Sequence, residues 1–521
     1  MAKGITENAE WRPKASLALI TIAVMLATFV DVLNTSIANV ALKTIAGSFS
    51  ISDDESLWIV TMFLIACSVL LPATDWCCRV FGRKQFFMGC LATFGIAAII
   101  CGCAPNFEVM IFGRVLQGLG GGCLIPLSQA ILLESYPKSE QSKAMAIFSL
   151  GVTIAPIIGP ILGGYLTTEY CWNYVFFISV PLCIAAFIMV GLYVENPPYL
   201  KIVGWHKMDY VGFTFLIMWI STFQIMVDNG QKNGWFDSAY ICKLGLCSLI
   251  AFIGFVYWEL HTKEPLLNLR VLKNWNYTFG TAILTITFAI CYGTIAILPQ
   301  FLQALMGYTA FLSGLAAGPM GIGSLSGALL SAILSKVFDA RHQIIMGLFI
   351  VAVGCYMFSS LNLNISYANV VIPNILLGVG MTIVIVTATT VIFSTIPKEG
   401  MTNASSLQNL IKNVGCAIGT SSVGVLVSRY GQIHQSHLID HLTVLNNNFA
   451  ERIETLTVQF MQMGQDITTA TQYAYGIIYK QLMQQVNLSA FMSSYKVYAL
   501  VIIMIIPLAV LLKVEKKIDK D

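Results

Sequence analysis

The apolar positions of this chain come in long runs. A window of about 19 residues finds fourteen of them, each long enough to cross a hydrocarbon core of about 30 Å. They centre near Met25, Leu64, Phe94, Gly121, Pro156, Leu182, Met218, Ile250, Ala289, Gly323, Ala352, Ile383, Gly419 and Ile503. The pattern predicts an all-α polytopic membrane protein, and an even number of spans places both termini on one side. Between the last two runs, over 428–493, the pattern changes. Leu438, Leu442, Leu445, Phe449, Ile453, Leu456 and Phe460 recur at three and four, as an amphipathic helix requires. After Gly464 the pattern resumes through Ile467, Tyr473, Ile477, Leu482 and Val486, which predicts a helical hairpin outside the membrane.

The fifth run holds the most unusual stretch, Gly151 to Gly164, which reads GVTIAPIIGPILGG. In a helix surrounded by water, its glycines and prolines would forfeit roughly 10 kcal/mol of helix propensity. In a bilayer the backbone has no water to turn to and stays paired within the helix or with its neighbours. Gly151, Gly159 and Gly163 then allow a second helix to approach closely, while Pro156 and Pro160 remove ladder hydrogen bonds and bend the rod. A tightly packed structural membrane helix accounts for the same composition.

Composition agrees, with 57% hydrophobic and only 11% charged residues, against about 25% charged in soluble domains. A net charge of +3 without a basic stripe gives no reason to expect nucleic acid. Most Lys and Arg residues, from Lys3, Arg12 and Lys14 to Lys516, Lys517 and Lys520, lie in the termini and in loops after even-numbered runs, so both termini are expected in the cytoplasm. The amino-terminal MAKGITENAEWRPKAS has no cleavage site after a short apolar core, so the first run reads as a retained span. The turns Asp75–Lys84 and Ser335–Gln343 echo one another. The echo fits two six-helix bundles at 17–194 and 277–514, with two inserted helices and their linkers at 195–276 and short cytoplasmic ends at 1–16 and 515–521. The fourteen cysteines are scattered through apolar runs as packing residues, with the vicinal Cys77 and Cys78 as a redox alternative.

Charged and polar residues inside the runs are the candidates for chemistry. Arg114 lies within run 4, where a buried cation costs at least about 2.5–3.5 kcal/mol unless paired; snorkelling from a helix end is the alternative. Asp31, midway along run 1, is the matching acid. Asn34 lies three residues on, on nearly the same helix face. Gln117, Gln129, Gln300, Gln303 and Asn409 are expected to line a substrate cavity, and Gln224, Asn374 and Asn413 share the pattern. Bonds between helices are the more common use for such groups. Abundant Met and aromatic residues suit a soft cavity for varied lipophilic ligands. No phosphate-cradling loop, HExxH or nucleophile elbow is present, so neither an ATP-driven pump nor an enzyme is expected. His434, His437 and His441 share a helical face with Asp440 as the only nearby acid, and read as surface rather than metal site.

Several motifs occur in order on successive runs: LNTSIANVAL from Leu33, FGRK from Phe81, GRVLQGLGGG from Gly113, the fifth-run signature, CWNYVFFISVP from Cys171, LPQFLQALMGYT from Leu298 and NASSLQNLIKNVGCAIG from Asn403. Together they resemble the fourteen-span drug:proton antiporters of the major facilitator superfamily, and most of all the EmrB-type inner-membrane exporters. The resemblance implies the major facilitator fold. It implies an antiporter motif at Gly151, Pro156, Gly159, Pro160, Gly163 and Gly164, and a proton-relay or cavity role for Arg114 and Gln117. Where the family usually has an acid this chain has Asn34, and Asp31 is expected to take over proton coupling with Arg114. The cytoplasmic latch loop keeps Gly82, Arg83 and Lys84 but carries Asp75 and Arg79 in place of the family's glycine and acid, an exchange that a reciprocal pair would preserve. The hairpin implies docking of a periplasmic membrane-fusion adaptor through Leu442, Phe449 and Leu456, and through it an outer-membrane channel; a cap packed on its own transporter is the alternative. The implied function is proton-coupled export of lipophilic drugs or toxic compounds across the inner membrane, with the proton as coupling ion and no cofactor. A dedicated exporter of a metabolite such as a siderophore or fatty acid, and a non-transporting receptor or scaffold, stay open beside it.

Overall fold

The structure, a computed structural model, describes residues 13–137, 140–197, 208–263, 265–308, 310–362, 367–397, 400–440, 442–443 and 446–513. Residues 1–12 of the expected cytoplasmic amino-terminal end, the whole of the expected carboxyl-terminal end 515–521, His441 and Leu445 lie outside them. All regular structure in the described residues is helical. The first part of the chain forms α1 (Leu17–Phe49), α2 (Asp53–Ser56), α3 (Trp58–Leu70), α4 (Thr74–Phe81), α5 (Arg83–Gly102), α6 (Phe107–Gly121), α7 (Leu124–Ser135), α8 (Gln141–Glu169), α9 (Tyr174–Phe177) and α10 (Ser179–Tyr193). Then come α11 (Tyr210–Gly230) and α12 (Ala239–His261). The remainder forms α13 (Trp275–Ala304), α14 (Ala310–Ala317), α15 (Pro319–Val337), α16 (Ala340–Phe358), α17 (Tyr367–Ser394), α18 (Met401–Ile439), α19 (Asn447–Gln462) and α20 (Ile467–Val510).

Among the described residues thirteen helical stretches, contiguous helices such as α6 and α7 counted as one, are long and apolar enough to cross a membrane, and fourteen spans result when the bent pair α3 and α4 counts as one more. The second apolar run is therefore a broken span, bent by 60° at the turn that holds Pro72, where the missing N–H and the ring stop the ladder. Several helices begin where short polar side chains take up free N–H groups. Asn106 caps α6 through Val109 N, Asp209 caps α11 through Gly212 N, and Asn274 caps α13 through Tyr277 N.

α1 packs on α7, α8 and α10, and α5 and α3 both pack on α6. In the later part α17 lies between α15 and α16, and α18 lies between α13 and α20. α11 and α12 pack on each other, and α11 touches both α3 and α18. The early and late spans meet where α8 crosses α14, α15 and α17, and where α7 and α4 cross α18.

α8 is one continuous helix despite Pro156 and Pro160. Pro160 has no N–H for the carbonyl of Pro156, and the Ser36 hydroxyl of α1 donates to that carbonyl at 3.1 Å. The contact is possible because a Cβ at Gly159 would lie only 2.5 Å from the Ser36 side chain, and one at Gly163 only 3.2 Å from the Ile37 carbonyl. On its other side, Pro160 and Ile161 lie against Gly314 of α14.

The hairpin differs from expectation in its boundaries. α18 and α20 do not end near 428 and begin near 493; both continue beyond the apolar runs as single rods, because no proline interrupts them there. α19 folds back on the first turns of α20 through Gly464, whose φ of 91° suits glycine. Asp466 caps α20, and its bonds from Thr469 and Thr468 hold its carboxyl below the usual carboxylate range.

Replacing Gly159 by Leu is expected to push α8 off α1 and lower stability by about 1–3 kcal/mol or more. Thermal unfolding of the purified protein in detergent reads this. Gly47→Ala, where a new Cβ meets nothing within 4 Å, serves as the unaffected control.

Candidate functional site: buried charges between the early and late spans

The glycines of GRVLQGLGGG set the position of Arg114. Cβ atoms at Gly118 and Gly122 would strike the backbone carbonyls of Phe63 and Cys67 on α3, and one at Gly120 the backbone of α5 near Phe94. α6 therefore lies backbone to backbone against both helices. Fully buried Arg114 donates from Nε to the Ile59 carbonyl at 2.8 Å, and from Nη1 to Asn34 Oδ1 and Gln117 Oε1, both at 2.7 Å. Its guanidinium stands 4.3 Å from the Phe63 ring centroid and 5.7 Å from that of Phe176. Asn34 is fixed in turn by donating to Ser179 Oγ at 3.1 Å. Snorkelling is thereby excluded, and among the described residues no acid is in contact with the guanidinium: neutral oxygens and aromatic faces hold this cation.

Asp31 is buried one turn before Asn34, its carboxylate pressed against Gly121, where a Cβ would collide with it. It forms no salt bridge among the described residues, and Oδ1 has no hydrogen-bond partner. The cations within electrostatic reach are Lys412 and then Arg114. The anticipated pairing of Asp31 with Arg114 is thus not a contact; Asn34 occupies the place facing the guanidinium.

Lys412 of α18 brings the late spans into the site, and no role for it was drawn from the sequence. Its ammonium donates to Asn409 Oδ1 at 2.7 Å and lies 5.2 Å from the Phe288 centroid. Asn409 donates to Gln129 Oε1 of α7 at 2.7 Å, and Ser405 Oγ lies 3.0 Å from the same oxygen. Asn34 and Gln117 therefore bond Arg114, and Gln129 and Asn409 bond each other beside Lys412. Gln303 joins neither group: it is exposed and donates to Ser313 at 2.9 Å. The Gln300 side chain lies outside the described residues. Gln224 and Thr61 both donate to Asp228, tying α11 to α3, and Asn374 donates to the Ala316 carbonyl. A separate apolar cavity of about 770 Å³ lies between α11, α13, α18 and α20, lined by residues such as Phe223, Trp235, Ile418 and Tyr498.

The latch residues lie at the opposite face from the hairpin. Most of the expected loop is the helix α4, with Asp75 in its first turn and Arg79 in its last, paired at 2.8 Å, an arrangement that supports a short helix. Gly82, with a φ of 85°, turns the chain into α5. Arg83 at the head of α5 makes a bidentate pair with Glu134 of α7, at 2.6 and 3.1 Å, and reaches Thr402 of α18 at 3.3 Å. Glu134 was missed because nothing in the sequence relates it to a residue some fifty positions earlier. Lys84 contributes its backbone N–H, to Asn196 at 2.8 Å.

Leu456 is buried in the hairpin seam with Ala474 and Ile478, and Leu442 and Phe449 pack against them. These three side chains form the hairpin's own core and are not an outward docking face. Exposed apolar residues include instead Val458, Met461, Met463, Ile467, Tyr473, Tyr475 and Tyr479, at the tip and along α19 and α20. No group of three metal-ligating side chains occurs among the described residues; His434 stands 2.9 Å from Ser493 Oγ. Cys77 and Cys78 are buried free thiols.

The sequence profile of the Major Facilitator Superfamily matches residues 24–420. The chain is 33% identical to the multidrug export protein EmrB of Escherichia coli K12, over 83% of this chain and 85% of that protein. It is 32% identical to the fatty acid resistance protein FarB of Neisseria gonorrhoeae, over 90% and 91%. Among solved structures, the human organic anion transporter TETRAN aligns over 95% of this chain and 100% of its own, with a TM-score of 0.58 and 9% identity, a likeness of fold alone. The resemblance read from the motifs is borne out at the level of the family.

Gln129→Ala removes the acceptor that Asn409 and Ser405 share, and each buried group left unsatisfied costs about 1–3 kcal/mol. Hydrogen exchange is expected to quicken in α7 and in the first turns of α18, and to stay unchanged in α12.

Proposed function

The chain belongs to the major facilitator superfamily of transporters, and on that footing we propose that it exports lipophilic compounds in exchange for protons. The observation that carries this reading is Asp31, a buried carboxylate without a salt bridge that lies where the early and late spans meet. A carboxylate in that position has no fixed partner to lose, so it can take and release a proton as the two sets of spans rock and open it to either side. Arg114 stays caged by neutral groups through the cycle and keeps α1, α3 and α6 in register around the carrier.

The protein sits in the inner membrane with both termini in the cytoplasm, so that the Arg83 face is cytoplasmic. Contacts from Arg83 to Thr402, and from Gln129 to Ser405 and Asn409, then close the cytoplasmic end and part when it opens. On the other side the hairpin receives a periplasmic adaptor, and through it an outer-membrane channel. The surface offered is the exposed tip around Met463, Ile467 and Tyr479, since the seam residues are already covered.

In inverted vesicles Asp31→Asn is expected to abolish gradient-driven transport while leaving insertion and abundance unchanged; transport with unaltered pH dependence removes Asp31 from the role. Loss of gradient dependence in the wild-type protein itself would favour a receptor or scaffold. Replacing Met463, Ile467 and Tyr479 by Ser is expected to spare transport in vesicles and to abolish co-purification with the adaptor and resistance in cells. Equal failure of vesicle transport makes the hairpin an internal cap.

A further inference from the structure

The apolar cavity between α11, α13, α18 and α20 has no part in the exchange proposed above. Its place follows from how α11 is held. Asp228 ties that helix to α3, accepting from Thr61 at 2.7 Å and from Gln224 of its own helix at 3.1 Å. Toward the late spans α11 has one hydrogen bond among the described residues, from Ser421 Oγ to the Val227 carbonyl at 2.9 Å. The cavity opens beside that bond, with Val227 and Ser421 both on its wall.

Its depth places it in one half of the membrane. Ser421 lies about 28 Å along α18 from Thr402, at about 1.5 Å per residue, and so on the hairpin side. The α18 wall runs from Gly415 to Leu426, about 17 Å, which is roughly half of a hydrocarbon core about 30 Å thick. Half-exposed Ile418 and exposed Phe236 leave the cavity open toward the bilayer.

The lining offers nothing to a polar ligand. Ser421 Oγ is spent on Val227, Ser422 Oγ and Tyr498 Oη bond each other at 2.8 Å, and Trp235 Nε1 donates to Gln231 Oε1 at 3.0 Å. Thr285 Oγ1 has no partner but is itself covered. No charged side chain lines the cavity among the described residues. A site for a drug-sized molecule carries a few convergent polar groups that fix its orientation. Water has nothing to bond to here, and an empty space of about 770 Å³ forfeits the dispersion contacts of every residue around it. The occupant that fits is hydrocarbon with the length of one leaflet.

We propose that this cavity is a binding site for one acyl chain of a phospholipid from the hairpin-side leaflet, and that the chain stands in for protein packing between α11 and the late spans. Apolar contact has no direction. A chain in the seam therefore lets α11 slide against α13 and α20 while Asp228 keeps it with α3.

The test uses the full-length protein, washed in detergent until loosely associated lipid is gone, and native mass spectrometry to count the phospholipids retained. Wild-type protein is expected to keep one. Ala289→Phe and Val425→Phe, which put a ring into the cavity from α13 and α18, are expected to lose it, and Leu329→Phe, on the exposed face of α15, to keep it. Adding back dipalmitoyl phosphatidylethanolamine should raise the melting temperature of the wild type and of neither filled variant, and the dihexanoyl lipid should raise none. If neither filled variant folds, the wild type decides alone. A phosphatidylethanolamine with a diazirine midway along one chain, photolysed after the wash, should then label α13 and α18 at the cavity and spare the outer face of α15. Equal lipid retention by the wild type and the filled variants, or label spread evenly over both regions, overturns the proposal. Displacement of the retained lipid by a lipophilic compound that the protein pumps overturns it too, and makes the cavity part of the substrate path.

Discussion

Hydrocarbon offers no partner to a hydrogen-bonding group, and nearly every unusual feature of this chain answers that one constraint. It explains why the carbonyl freed by Pro160 is taken up by Ser36 from the next helix. It explains why glycines cluster at residues 118–122, where the backbones of α3 and α5 have to come close enough to deliver the Ile59 carbonyl to Arg114. A cation in such a setting need not have charged partners: two side-chain amides, a carbonyl and two aromatic faces surround Arg114, with Nη2 left without an acceptor among the described residues.

The spans were legible because a bilayer imposes a length and a polarity that any window of residues can measure. Their interruptions were less so. Pro72 lies in an apolar run that reads as unbroken, and only the turn between α3 and α4 shows that the run changes direction there. The stretch after it reads as a charged loop, yet the Asp75 and Arg79 spacing that pointed to a reciprocal pair is also what a short helix favours. In the hairpin, the periodicity correctly marked one apolar face on residues 442–456, but periodicity cannot say what that face touches; α20 covers it.

The central site was read in part for a similar reason. Buried Asp31 and Arg114 stand out as charges in apolar runs, whereas their separation depends on which turn of α1 faces α6, and Asn34 takes that turn. Lys412 gave the same signal, a lone cation inside a run, but the Asn409 it bonds is held in turn by Gln129 of α7, 280 residues earlier. Contacts of that range, like Arg83 with Thr402, become visible only once the helices are arranged in space. They join the two sets of spans at the latch face, while Pro160 and Ile161 meet Gly314 toward the other. The charged centre is enclosed between these two closures.

α18 and α20 contain 39 and 44 residues, which at about 1.5 Å per residue makes rods of about 58 and 66 Å, roughly twice the thickness of the hydrocarbon they cross. Each is a single rigid arm with one end in the machinery and the other far out in water. Lys412 and the closure residues Thr402 and Ser405 are on the inner portion of the first arm, and Tyr498, bonded to Ser422 of that arm, is on the second. Whatever tilt these arms undergo about the membrane is enlarged at their outer ends in proportion to their length. On the exchange proposed above, the outermost tip would move farthest, so that a change at the buried centre would be felt well beyond the bilayer without any separate signalling element.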